Sequence, residues 1–140
     1  MKRTWKVFRG ALLVLFLLSG IVYSQGQNEV KKKGVVIQEY FFCERVEKRK
    51  PVGVKKVFPS DIGRIYLWTT VTGAEKPTKI KHIWYHNKEK KLEINLPVKY
   101  KRTRTWSYKN ITPEWTGDWY VEVVNEDGKV IGKFTFTIKD

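Results

Sequence analysis

Residues 117–138 read GDWYVEVVNEDGKVIGKFTFTI, and this stretch decides the fold. Trp119, Val121 and Val123 alternate with Tyr120, Glu122 and Val124, the period of two that places successive side chains on opposite faces of a strand. Asn125-Glu126-Asp127-Gly128 then turns the chain, with Gly128 supplying the positive φ that a hairpin needs. On the return, Phe134, Phe136 and Ile138 point one way while Lys133, Thr135 and Thr137 point the other. A hairpin with one core face and one wet face follows.

Working back toward the N-terminus, short runs rich in Val, Ile, Thr, Tyr, Phe and Trp recur between Gly, Pro, Asn and Asp breakers, with no long apolar stripe of helical period. Strands are expected at 35–47, 64–72, 78–86, 90–97, 102–108, 117–125 and 129–138, the first being one strand or two joined by a bend. About seven strands over residues 34–140, with Trp84 in a central one, indicate an all-β, immunoglobulin-like β-sandwich, and a small closed barrel is the competing architecture. The segment 54–62 (VKKVFPSDI) reads as a structured loop whose Phe58 tucks into the core beside Pro59, with a short helical turn as its other form.

The first 24 residues read as an export signal. Lys2, Arg3, Lys6 and Arg9 form a cationic start, residues 10–23 (GALLVLFLLSGIVY) are uncharged, and the chain turns polar at Ser24-Gln25. The uncharged run is shorter than the roughly 20 residues a spanning helix needs, which favours cleavage after Ser24 over an uncleaved anchor, the alternative reading. Ile21 stands where a lipoprotein signal requires cysteine. Residues 25–33, ending in Lys31-Lys32-Lys33, read as a polar linker before a single domain at 34–140. The expected location is periplasmic or extracellular, with membrane contact only through residues 1–24 if they are retained.

The 140 residues carry 28 Lys plus Arg against 14 Asp plus Glu, a net charge of +14. Loss of the four cations of the leader leaves +10. Such a charge favours anionic partners, and the partners expected are an anionic glycan, a lipid headgroup or another envelope protein; the other reading is a lysine-rich solvated surface. Export argues against nucleic acid. The single cysteine, Cys43, rules out an intramolecular disulfide, and its place after Tyr40-Phe41-Phe42 makes it a small buried hydrophobe.

No nucleophile elbow, phosphate loop, CxxC or HExxH occurs, so no enzymatic activity and no cofactor are expected. The two histidines, His82 and His86, share a strand face with Trp84 and stand roughly 13 Å apart at about 3.3 Å per residue, too far to chelate one ion. His82 is expected in a half-buried position bonded to nearby backbone, and His86 at the turn with Asn87 and Lys88. An enzyme reading would require His82 to meet a carboxylate such as Glu47 or Asp61. The segment 99–109 (KYKRTRTWSYK) interleaves cations with aromatics, a pattern suited to gripping an anionic partner by ion pairing and stacking. Its other reading is a charged sheet edge that blocks aggregation. Asn110-Ile111-Thr112 matches a glycosylation sequon too short to carry weight.

Several segments together give a resemblance. Residues 45–53 (RVEKRKPVG), Phe58-Pro59, 63–69 (GRIYLWT), 82–86 (HIWYH), Leu96-Pro97-Val98, Arg104-Thr105-Trp106-Ser107 and 117–123 (GDWYVEV) occur in the order in which they stand in the bacterial domain of unknown function 2914 family, which the region from Cys43 to Ile138 resembles. The chain departs from that pattern at Thr103, where an aromatic is expected, and at Lys50, which replaces an acidic residue. The resemblance implies no activity. The expected function is therefore a non-enzymatic binding or interaction module of the cell envelope that displays Arg45, Arg49, Arg64, His82, Arg104 and Trp106. The alternative is a structural or accessory domain with Trp68, Trp84, Trp106 and Trp119 buried.

Overall fold

A computed structural model describes residues 34–140; residues 1–33, where a signal segment and a linker are expected, lie outside the described residues. Nine strands follow one another: β1 (Val36–Glu47), β2 (Lys50–Val54), β3 (Val57–Pro59), β4 (Arg64–Thr72), β5 (Thr78–His86), β6 (Glu89–Val98), β7 (Arg102–Asn110), β8 (Gly117–Asn125) and β9 (Val130–Lys139). They form two sheets, ordered β2-β1-β4-β7 and β3-β9-β8-β5-β6. Neighbouring strands run antiparallel except β3, which lies parallel to β9.

The architecture is all-β with two sheets, as the alternation requires, but with nine strands in place of about seven. Two were missed for local reasons. The β1–β2 hairpin closes at Lys48-Arg49, both in the left-handed region at φ 47° and 65°, where Asn-Gly would have been the legible signal. β3 is three residues long and carries Pro59, and pairing with β9, made elsewhere in the chain, is what extends it; Phe58 is 1% exposed, buried as expected. β1 is one strand with a bulge between Ile37 and Glu39. Trp84 sits one strand from the edge of its sheet, since β8 occupies the centre.

The quoted hairpin is built as its sequence dictates. Asn125 Oδ1 accepts from the N–H groups of Asp127 (3.0 Å) and Lys129 (2.9 Å), and Gly128 takes φ 83°. That side-chain cap fixes the turn and hence the register in which Trp119 pairs with Phe136. A one-residue slip would turn Trp119, Val121 and Val123 out to water.

Inward-facing residues of both sheets meet in one core. Phe136 is its hub, with ring centroids 4.6 Å from Phe42, 5.7 Å from Trp119, 6.0 Å from Trp84 and 6.1 Å from Phe58. Each such side chain contributes on the order of 1.5–3 kcal/mol by leaving water. Ile65, Leu67 and Val71 of β4 supply the opposing aliphatic layer.

β4 departs from simple alternation. Trp68 faces the outer side of its sheet, yet it is only 4% exposed and donates its Nε1 hydrogen to the Arg49 carbonyl at 3.1 Å. The tip of the β1–β2 hairpin therefore curls back over the outer face and covers the indole. Cys43, on the same face, is wholly buried, and burial pushes its thiol up to about 11.

Candidate functional site

β7 is an edge strand with two different faces. Arg102, Arg104, Trp106, Tyr108 and Asn110 point outward, while Ser107 points into the core. Its register with β4 runs unbroken from Arg64 opposite Asn110 to Thr72 opposite Arg102. This aligns side chains in rows across three strands: Phe41, Trp68 and Trp106 form one, and Cys43, Tyr66 and Tyr108 the next.

Arg64 anchors the polar end of this face. Its guanidinium lies 4.1 Å from the centroid of the Tyr108 ring, its Nε donates to Asn110 Oδ1 at 3.0 Å, and it reaches the Tyr66 hydroxyl at 3.4 Å. Tyr66 and Tyr108 pack at 5.4 Å. Stacking and the Asn110 bond fix the guanidinium plane, and among the described residues no carboxylate is ion-paired with Arg64, Arg104 or Lys109.

Between the edge strands β6 and β7 lies a cleft of about 400 Å³, lined by Leu92 and Ile94 on one side and by Trp106 to Asn110 on the other. Five consecutive residues line it because the edge of the strand borders the space. At its rim the Lys109 ammonium sits 4.5 Å over the Trp115 ring and donates to the Asn110 carbonyl at 3.0 Å. Its pKa is lowered, first by burial and then by the nearby charge of Lys91.

The residues expected to share a surface are partly separated. Arg64, Arg104 and Trp106 lie on the outer face of the β2-β1-β4-β7 sheet. Arg45 is occupied by Glu47 at 2.6 Å and Glu44 at 3.8 Å, and Arg49 contributes its carbonyl to Trp68 from the hairpin turn. His82 belongs to no displayed surface. It is 0% exposed between the sheets, its Nδ1 is 2.7 Å from Ser107 Oγ, and Ser107 Oγ also accepts from Trp84 Nε1 at 3.0 Å.

The expected half-buried His82 bonded to backbone is thus corrected to a fully buried one bonded to a side chain. β7 brings Ser107 across the core to it, a pairing of residues 25 apart that no local pattern announces. Its Nε2 has no partner among the described residues, and burial lowers its pKa to about 3. The ring meets neither Glu47 nor Asp61 and is not placed to act as a general base. His86 sits at its turn as expected and bonds the Thr116 carbonyl at 2.7 Å while stacking on Trp119. Trp68, Trp84 and Trp119 are buried, and Trp106 is half-buried.

Reasoning from sequence did not pick out Tyr66, Tyr108, Asn110 and Lys109 as members of the site. Tyr108 and Lys109 belong to the cation–aromatic run, but Tyr66 joins them only through strand register.

Residues 77–138 match the model of a family described as protein of unknown function (DUF2914). Over this stretch the chain is similar to that family. The match begins just before β5 and runs into β9, so the matched region contains His82, Arg104, Trp106 and both walls of the cleft, while Arg45, Arg49 and Arg64 lie before it. No curated protein matches the chain.

Proposed function

We propose that this protein is a non-enzymatic binding module of the cell envelope, exported by its first 24 residues, that holds an anionic partner by equilibrium recognition on the outer face of β7. The observation that carries this reading is the Arg64 guanidinium stacked on Tyr108 and fixed by Asn110, beside Trp106 and Arg104, with no described carboxylate to neutralise it. A side chain held flat and unpaired retains its charge for a ligand, and the neighbouring rings supply stacking area. The immunoglobulin-like part of the reading is supported by strand order. β1-β4-β7 facing β9-β8-β5 reproduces the A-B-E and G-F-C orders of that sandwich, with Trp84 on the strand that corresponds to C.

The reading as a structural or accessory domain is favoured by the burial of Trp68, Trp84 and Trp119, but Trp84 and Trp119 belong to the core and Trp68 lies under the β1–β2 hairpin, which leaves Trp106 and Tyr108 unexplained. Carbohydrate acid groups and lipid phosphates share the anionic chemistry that β7 suits. The test is a binding screen of the full chain against polygalacturonate, dextran sulfate, neutral dextran and phosphatidylglycerol vesicles at low and high salt. Arg64→Gln with Arg104→Gln is expected to weaken anion binding by about tenfold, the loss of one or two charge-assisted bonds. Lys81→Gln with Lys90→Gln, on the opposite sheet and already ion-paired with Glu93, is expected to leave it unchanged. Equal losses from both pairs, or binding abolished by salt for every polyanion alike, would show net charge alone. Export is tested by fractionation and by the N-terminal residue of the mature product, expected to be Gln25.

A further inference from the structure

The two sheets leave four edge strands, and three are closed to further pairing by familiar devices. β2 is five residues with Pro51, β3 is three residues with Pro59, and β6 carries Pro97 and faces a register shift at Trp84/Tyr85. β7 is different: nine residues without proline and without any shift in its register with β4.

The unused backbone groups of β7 can be assigned. Ile111 donates to the Gly63 carbonyl and Gly73 to the Lys101 carbonyl, which makes 111/63 and 101/73 hydrogen-bonded pairs of the antiparallel ladder. Alternation along that ladder turns the N–H and C=O groups of residues 103, 105, 107 and 109 toward β4, and those of Trp106 and Tyr108 toward the open edge. Among the described residues nothing bonds these last four groups, and they border the cleft of about 400 Å³.

We infer that the open edge of β7 takes up, by strand addition, an extended acidic segment of a partner protein whose side chains alternate acidic outward and apolar into the β6–β7 cleft. A strand laid beside β7 extends its sheet, so alternate side chains fall on the outer face beside Arg104 and Trp106, and the others fall over Leu92 and Ile94. Residues 99–110 hold Lys99, Lys101, Arg102, Arg104 and Lys109 with no carboxylate, which attracts an acidic strand and repels a second copy of β7. The same charge repels the chain's own segment 25–33, which ends in three lysines. The inference rests on the binding-module reading and gives that module a partner chemistry.

The test uses the full chain and the peptide acetyl-EVELEVE-amide, with its scramble EEVVLEE as the charge-matched control. The alternating peptide is expected to bind about tenfold tighter than the scramble, since only it places charge and apolar groups on separate faces. Methylating the backbone nitrogens of one alternate set should abolish binding while methylating the other set leaves it intact, because only one set faces β7. Tyr108→Pro and Tyr108→Thr both lose the ring, but only proline removes the open-edge N–H. Tyr108→Pro should bind about tenfold more weakly than Tyr108→Thr, with near-ultraviolet circular dichroism showing both folded. Equal affinity for peptide and scramble, tolerance of both methylation patterns, or self-association of the chain through β7 would overturn the inference. If the peptides fail while polyanions still bind through Arg64 and Arg104, strand addition alone is lost. If both fail, the binding-module reading falls with it.

Discussion

Acid should destabilise this domain through His82, beyond what its carboxylates contribute. His82 is sealed between the sheets with its pKa lowered by burial to about 3, against 6.5 for the ordinary side chain. Above pH 6.5 the ring is neutral folded or unfolded, and it contributes nothing to pH dependence. As the pH falls below 6.5 the unfolded chain gains a proton that the folded one refuses, so stability is lost until the pH reaches the folded value near 3. Each pH unit in that window costs about 1.4 kcal/mol, or about 3 kcal/mol by pH 4.5. That is a large part of the roughly 5–15 kcal/mol typical of a domain. Urea unfolding followed by tryptophan fluorescence at pH 7, 6, 5 and 4.5 measures the slope. His82→Gln is expected to be less stable at pH 7 but flatter with pH, by close to one proton, because the carboxylates are common to both proteins. Parallel pH profiles for the two would refute the assignment of a buried neutral imidazole.

Three further outcomes are expected. Ser107→Ala strips both Trp84 Nε1 and His82 Nδ1 of their partner and should cost about 2–4 kcal/mol, seen in calorimetry as a fall in Tm of roughly 10 °C or more. Replacing Lys48 and Arg49 together by Asn and Gly should stabilise the hairpin by about 1 kcal/mol in urea titrations, since both positions hold positive φ and the carbonyl that Trp68 uses is kept. The Cys43 thiol, buried and pushed up to about 11, should resist a disulfide reagent at pH 8 in the native protein and react at once in denaturant; rapid native labelling would show the β1–β2 hairpin opening.

Most of the strands and their faces were legible because period-two alternation is a local property. Residues 117–138 show it best, where side-chain identity, the Asx turn at Asn125 and the positive φ of Gly128 all agree. The basic–aromatic run at 99–109 was legible for the same reason. What lay beyond reach was whatever depends on a second strand. Tyr66 joins Arg64 and Tyr108 only because β4 and β7 pair in one register, and Trp68 is covered only because a hairpin with no glycine at its turn curls back over it.

By itself the sequence settled the all-β class, the hairpin of β8 and β9, the burial of Cys43 and Phe58, and the excess of positive charge, since each follows from neighbours along the chain. Tertiary structure alone decided that His82 meets Ser107 in the core, that Arg45 is neutralised while Arg64 is not, and that the β7 edge stays open beside a cleft. Those facts arise from contacts between segments tens of residues apart, and packing two sheets selects them by satisfying buried polar groups and excluding water, which no local pattern encodes.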